Sequence, residues 1–411
     1  MNYIADVEMD GHLIDSLILT RALDKIMDLG GEFEIRKFSI GKLKNEPSHV
    51  HITVKGKDEP QLNQILEELN ALGARLVDME DARLEVCAGD MVVPRGFYST
   101  TNHPTFIRYG GSWVEVEGSR MDCLIVVKEG RARCTPLHHI KRGDRVVVGT
   151  TGVKVVPPER PRERSLFGFM SNEVSSERPS VEIVRQLASE IVRTRQQGGR
   201  IAAICGPAVV HTGASSALAQ LIRDGYIHLL LAGNALAAHD IERQLFGTSL
   251  GMDCQGNVTL GGHRNHLYAI SEIMASGSIQ NAIREGKIKA GIMYECIANE
   301  VPFVLAGSIR DDGPLPEVIT DTVKAKDAMA ASLKGVTMAL MMSTMLHSIA
   351  TGNLLPSSVK TICIDINPST VTKLMDRGTA QAIGLVTDVG VFLPRLADEV
   401  RKMGEKGDRN A

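Results

Sequence analysis

Over the first 85 residues, short extended stretches alternate with amphipathic runs. Tyr3–Asp10, Glu32–Ser39, His49–Lys55 and Arg75–Met79 read as strands, and Ile18–Leu29 and Glu59–Leu72 as helices. The second helix is predicted from Leu62, Ile65, Leu66 and Leu69, which recur at offsets of three and four, and from Pro60 in its first turn. This β-α-β-β-α-β order predicts a ferredoxin-like α+β domain over residues 1–85. From 86 to 156 the pattern changes to short β-branched runs, VEVEG, CLIVVKEGRARC and GDRVVVGTTGVKVV, broken by turns at Lys128-Glu129-Gly130 and Arg142-Gly143-Asp144. A small β-rich domain, barrel or sandwich, is expected there. Residues 157–180, crowded with proline and alternating charge, are expected to be a linker.

Beyond it, helices predicted at Val181–Arg195, Ser215–Arg223 and Leu236–Leu245 are interleaved with strands at Ile201–Cys205, Tyr226–Leu231, Val301–Ala306, Thr361–Ile366 and Ala382–Thr387. Such alternation forces parallel pairing through crossovers, and the strands' unbroken apolar character suits a sheet covered on both faces. Residues 181–404 are therefore expected to form an open, Rossmann-like parallel sheet, which makes the chain an α/β protein. Val336–Ala350 is the most apolar helical candidate, with Met338, Met341, Met342 and Met345 on one face at a spacing that suits core packing. The tail, 405–411, is expected to be disordered.

At 411 residues the chain has room for two or three domains. Its 46 basic and 49 acidic side chains leave a formal charge of −3, which offers no field to draw in nucleic acid. The Val336–Ala350 run is polar at Thr337, Ser343, Thr344, His347 and Ser348 and shorter than the roughly 20 residues a bilayer crossing needs, so no membrane span is expected. Seven cysteines without a CxxC pair suit a reducing cytoplasm. The amino terminus, MNYIADVEMDGHLID, lacks the basic-then-apolar plan of an export signal and points the same way.

Ligands of an open parallel sheet bind just past the carboxyl ends of its strands, which singles out GPAVVHTGA, AGNALAAHDIE, GSIRDDGPLPEV, NPST and DVG. Glycines there let backbone approach a ligand, and helix amino termini offer N–H groups to phosphate. Asp365 ends a strand, where a carboxylate can hold the ribose hydroxyls of a nicotinamide dinucleotide; capping the next helix is the competing use. No GxGxxG is present, so a cofactor requires a variant loop. Asp311 and Asp312 would repel in a cleft, raising one pKa and creating a proton donor. His263 and His266, with Cys254 or His239, have the elements of a metal site, but no further Cys/His pair completes it and no metal is expected. Cys205 beside His211 can be read as a nucleophile or, more ordinarily, as a buried small hydrophobe.

Taken together, GPAVVHTGA, LLLAGNALAAHDIE, FGTSLG, GHRNHLYAI, AGSIRDDGPLPEVITD, MLHSIATGNLLP, ICIDINP and GLVTDVG resemble the archaeal-type ornithine cyclodeaminase family over nearly the whole chain. The amino-terminal part resembles the conserved domain of bifunctional lysine-ketoglutarate reductase/saccharopine dehydrogenases. The carboxyl domain is similar to the cyclodeaminase part of cyanobacterial arginine dihydrolases, with a deoxyhypusine-synthase-like sheet. The resemblance implies an NAD-dependent enzyme that converts L-ornithine to L-proline and ammonia. It places the NAD site on Asn234, Ala235, Asp312, Thr344, Met345, Leu346, His347, Asp365, Asp388 and Val389, with Asp365 as the ribose acid. Such chemistry needs a group that keeps one amine neutral, for which Asp311, His239 and Asp240 are candidates. It also needs a cation for the substrate carboxylate, for which Arg264 and Arg310 are candidates. A saccharopine-type dehydrogenase with net NADH formation and a non-catalytic, NAD-occupied amino-acid sensor are the alternatives. A homo-oligomer is expected.

Overall fold

The computed structural model describes residues 3–14, 16–41, 46–77, 80–157, 181–252, 257, 259, 262–375 and 382–408. The expected linker from 158 onward, Met79, Cys254 and the last three residues of the tail lie outside the described residues. The chain divides into two compact units, Met1–Gly168 with Asn353–Ser358, and Phe169–Gly352 with Val359–Ala411.

In the first unit, β1 (Tyr3–Gly11), β2 (Glu32–Ser39), β3 (Ser48–Gly56) and β4 (Arg75–Leu76) form an antiparallel sheet ordered β2-β3-β1-β4. Two helices, α1 (Ile18–Asp28) and α2 (Glu59–Ala71), bury Ala22, Ile26, Leu62, Ile65 and Leu69 in one core with Val7, Val50, Ile52 and Val54 of the sheet. The start of α2 is set by Asp58, whose side chain accepts the Gln61 N–H at 2.9 Å, and by Pro60, which has no N–H to leave unpaired. A second sheet contains β5 (Arg83–Val86), β6 (Thr105–Tyr109), β7 (Ser112–Glu117), β8 (Leu124–Lys128), β9 (Arg131–Thr135), β10 (Arg145–Val148) and β11 (Val153–Val155). Its order is β11-β6-β7-β9-β8-β10-β5, antiparallel except where β7 meets β9. Strand β5 straddles the boundary expected at 85 and pairs with β10.

The second unit is built on β12 (Arg200–Cys205), β13 (Leu229–Gly233), β14 (Phe303–Ala306), β15 (Val318–Ile319), β16 (Val336–Met342), β17 (Lys360–Asp365) and β18 (Ala382–Val386). All are parallel, in the order β15-β14-β13-β12-β16-β17-β18. The crossovers carry α3 (Val181–Gln196), α4 (Ala208–His211), α5 (Ser215–Arg223), α6 (Asn234–Phe246), α7 (Asn265–Ser276), α8 (Ile279–Arg284), α9 (Ile292–Ala298), α10 (Thr322–Ser332), α11 (Met345–Leu354), α12 (Pro368–Met375) and α13 (Val389–Asp408). Strand β12 enters in the middle; β13 to β15 then step away on one side and β16 to β18 on the other. This reversal leaves a switch point between β12 and β16, where loops part and a ligand can enter.

Two expectations change. Val336–Met342 is a strand rather than a helix, and Met338, Met341 and Met342 are fully buried between β12 and β17. A central strand covered on both faces is apolar at every position, so helix-like methionine spacing arises there without a helix. The chain turns at Ser343, with φ of 51°, before α11 begins at Met345. At the other end, α13 continues to Asp408, past the start of the expected disorder, supported by Arg401–Asp398 and Lys402–Glu399 pairs at 3.3 and 2.8 Å one turn apart. Among the described residues, no helix is long and apolar enough to cross a membrane.

Candidate functional site

The loops that leave the carboxyl ends of the sheet touch one another. After β12, the Gly206 N–H donates to the Met342 carbonyl at 2.9 Å, and a Cβ on Gly206 would overlap the Ser343 carbonyl oxygen, so the loops of β12 and β16 approach at a distance only glycine permits. A Cβ on Gly233, at the end of β13, would lie 3.1 Å from Cε1 of His347. At Gly390 a Cβ would lie 2.6 Å from Thr212 Cβ, which brings the loop of β18 against that of β12. The switch point is thereby ringed by 206–212, 233–235, 343–347 and 388–390.

Within this ring the expected cofactor residues take different postures. Asn234 is buried and begins α6; its Nδ2 donates to the Gly313 carbonyl at 3.2 Å and its Oδ1 accepts the Leu315 N–H at 3.0 Å. Its side chain therefore holds the Asp-Asp-Gly-Pro turn in place, and what faces outward beside it is the amino end of α6 at Ala235. Thr344 and His347 hydrogen-bond through Oγ1 and Nδ1 at 3.2 Å, and burial pushes the His347 pKa down against the opposing pull of Asp311. Met345 and Leu346 are exposed. Asp365, 8% exposed at the end of β17, accepts the Asn367 N–H at 2.8 Å through Oδ1. Burial raises its carboxyl pKa, with that N–H acting in the opposite direction. Asp388 is exposed and accepts the Gly390 N–H at 2.6 Å, while Val389 is buried.

Next to the ring lies a histidine cluster that the sequence reading did not assemble. The ring of His239, on α6, stands 4.7 Å from that of His211 and 5.9 Å from that of His266. His239 Nδ1 meets Glu242 Oε2 at 2.7 Å one turn along the same helix. Glu242 is fully buried and also accepts the Thr248 hydroxyl at 2.8 Å and the Gly251 and Leu250 N–H groups at 3.1 and 3.2 Å. Burial alone would raise its pKa, but His239, the Gly251 N–H and Thr248 outweigh it, and the carboxyl is held low. His211 bonds Ser249 Oγ at 2.7 Å, and burial, then the neighbouring His239, push its pKa down to about 4. His266 reaches Asp312 at 3.3 Å. The signal for Glu242 was present as an i, i+3 pair with His239; the rest comes together only through tertiary packing.

Other candidates are redirected. Asp311 accepts the Ser308 N–H at 2.8 Å while Asp312 turns to His266, so the two carboxylates do not face each other as a mutually repelling pair. Asp240 adjoins His239 in sequence but points away, accepting the Met293 N–H at 2.9 Å as the cap of α9. Its Oδ2 anchors α9, and its Oδ1 is buried without a hydrogen-bond partner among the described residues. Burial, offset by the Met293 and Ile292 N–H groups, pushes its pKa up to about 6. Between its ordinary value and pH 6 the unfolded chain is ionised and the folded one is not, so this group's contribution falls as pH rises through that window, by about 3 kcal/mol. Asp240→Asn is expected to remove this slope, so that thermal melts from pH 4 to 7 gain on the parent as pH rises, with catalysis retained; parallel melting curves would refute the assignment.

Arg264 and Arg310 are exposed, and neither has an ion-pair partner among the described residues. Cys205 is fully buried and its pKa is raised by that burial, which leaves it inert as a nucleophile. His263 is exposed.

Loops gathered at the switch point of a parallel sheet are how Rossmann-fold enzymes build their sites, and this chain is of that class. The family model described as arginine dihydrolase ArgZ-like, C-terminal, Rossmann fold matches residues 185–396. The ArgZ-like C-terminal first region matches 104–184, and the LOR/SDH bifunctional enzyme conserved region matches 4–103. Over 98% of its length the chain is 60% identical to the ornithine cyclodeaminase of Archaeoglobus fulgidus, covering 99% of that protein. It therefore belongs to the ornithine cyclodeaminase family. The apo crystal structure of cyanobacterial ArgZ superposes with a TM-score of 0.87 at 39% identity, over 98% of this chain and 59% of that one. A ternary complex of AgrE with ornithine and NAD+ matches with a TM-score of 0.54 at 41% identity, over 98% of this chain and 58% of that one.

Proposed function

We propose that the crevice takes NAD and ornithine and that the enzyme converts L-ornithine to L-proline and ammonia. The observation that carries this reading is the meeting of the loops of β12, β13, β16 and β18 at one sheet edge, beside the Glu242–His239 pair. NAD, when bound, supplies a hydride acceptor that returns what it takes, so no net oxidation results.

The chain's own residues fit that group. Gly206 and Gly233 leave room where a side chain would intrude. Asp365 has one oxygen committed to Asn367 and the other without a partner among the described residues, available to ribose hydroxyls. Ile309, Met345, Leu346, Ile366 and Val391, exposed apolar side chains just past the strand ends, would screen the reacting carbon from water, which would otherwise hydrolyse a substrate imine.

Ring closure needs a neutral amine. Ionised Glu242 fixes the Nδ1–H tautomer of His239 and leaves Nε2 as the acceptor of an ammonium proton. His211, neutral above about pH 4, adds no positive charge to compete for that proton. Arg264 and Arg310 are assigned to the substrate carboxylate, because neither is occupied by a protein carboxylate. The free thiols suit a cytoplasmic enzyme, and association of like subunits is part of the same reading.

Purified protein given ornithine and a trace of NAD should release proline and ammonia in equal amounts without accumulating NADH. Stoichiometric NADH would identify a dehydrogenase instead. A raised melting temperature with no ammonia would identify a sensor.

A further inference from the structure

The β-rich part of the first unit holds a cavity of about 510 Å³ that the reaction does not use, of the size that takes a small molecule. One face of the β8–β9 hairpin walls it. Along β9, Arg131, Arg133 and Thr135 face the cavity and alternate with Ala132 and Cys134, which turn the other way into a core cluster. Across the register Lys128 stands opposite Arg131 and Val126 opposite Arg133, while Glu117 of β7 lies beside Arg133 on the other side. Val126 is buried with Leu124, Ile140 and Val146, so this charged wall rests on a packed apolar floor.

The charges of the wall do not balance within it. Asp144 is buried and has both oxygens committed, one to Lys128 at 2.7 Å and the other to the Lys141 N–H at 2.9 Å. Glu117 pairs with Arg133 at 3.2 Å. Arg131 has no carboxylate partner among the described residues, and neither has Arg120, which lines the same cavity. The remaining acid, Glu129, is exposed in the turn between the strands, so four cations of the lining meet three carboxylates. Glu129 and Gly130 turn the chain with φ of 51° and 73°, the left-handed pair that fixes a two-residue hairpin in register. Lys128 and Arg131 are thereby held directly opposite each other, where like charges destabilise a strand pair. Asp144 neutralises the first of them, and nothing in the wall neutralises the second.

We propose that this cavity is a second ligand site of the protein and that it takes a small organic dianion, a dicarboxylate or a phosphate monoester, on the Arg131 and Arg120 guanidinium groups. A guanidinium donates two parallel N–H bonds to a carboxylate or to a phosphate equally well, which is the chemistry the two ligand types share. Val126 and Pro136 give the ligand's carbon atoms an apolar surface to lie against.

The internal pairs have a part in this. With Lys128 held by Asp144 and Arg133 by Glu117, those two cations are steadied at the wall, and Arg131 is left to meet the ligand. A bound anion beside Arg131 relieves its repulsion with Lys128, so the ligand stabilises the hairpin that binds it. The cavity shares no residue with the crevice of the second unit, and its ligand is neither the cofactor nor the substrate of that crevice.

The test is calorimetric titration of native full-length protein, without NAD or ornithine and at low salt, with succinate, with glycerol 3-phosphate, and with butyrate as the singly charged control. At least one of the two dianions should bind at one site per chain, ~10-fold or more tighter than butyrate, and weaken as salt is raised to about 0.5 M. Which of them binds identifies the source of the anion. Arg131→Gln should weaken that binding by ~10-fold or more, the effect of losing a hydrogen bond between charged groups. The ligand-free variant should melt no lower than the parent, because the substitution removes a like-charge pair and Arg131 has no carboxylate to lose. Hydrogen–deuterium exchange should show the bound dianion protecting residues 128–136. Dianions that bind no better than butyrate, an affinity unchanged in Arg131→Gln, a lowered melting temperature in that variant, or protection at the crevice loops instead would each overturn the proposal. None of these readouts involves turnover or NAD, so their failure is distinct from failure of the cyclodeaminase reading.

Discussion

His239→Gln is expected to lower kcat by about 10²–10⁴-fold, the range for losing a positioned proton acceptor, with little change in KM. The fold should survive, because Glu242 keeps the Thr248 hydroxyl and the Gly251 and Leu250 N–H groups, and the glutamine amide can donate to it in place of Nδ1. The substitution thus separates chemistry from packing. Glu242→Gln should be more damaging to stability, since an amide nitrogen would then face donors that now meet carboxylate oxygens, in a position with no access to water. Steady-state kinetics on purified His239→Gln read this directly. A kcat within a few-fold of the parent would remove His239 from the amine-handling role.

Asp365→Asn is expected to weaken NAD binding by about 10²-fold, the effect of losing two hydrogen bonds to a charged acceptor at roughly 1.5 kcal/mol each. Asparagine retains an oxygen for the Asn367 N–H, so the turn after β17 persists and the loss reports on the ribose contact rather than on the loop. Calorimetric titration of NAD into the variant reads this directly, and an unchanged Kd would mean that Asp365 only caps the turn.

Much of this architecture was readable from local pattern. The amphipathic period of Glu59–Leu72 and the proline at its start were enough for α2, and the post-strand strings fall along one sheet edge because parallel strands all end there. Where reading failed, the failure has a physical cause. Strand β16 is buried on both faces, so its methionines carry no period that separates strand from helix. Adjacent residues on a helix point about 100° apart, and sequence alone does not say which of His239 and Asp240 meets Glu242 and which caps α9. Asn234 was singled out in the string that follows a strand, but its partners Gly313 and Leu315 lie about 80 residues on, and only the fold brings them together. The same holds for His211, His239 and His266, drawn from three helices.

On the proposed reading, separate loops at one edge of the second unit's sheet grip a single cofactor. Hydrogen–deuterium exchange of the whole protein with and without NAD addresses it without any substitution. Protection is expected to rise together at 206–212, 233–235, 343–347, 365–367 and 388–390, with residues 117–144 of the first unit unchanged. Protection confined to one of those loops, or appearing instead around the β-rich cavity, would contradict it.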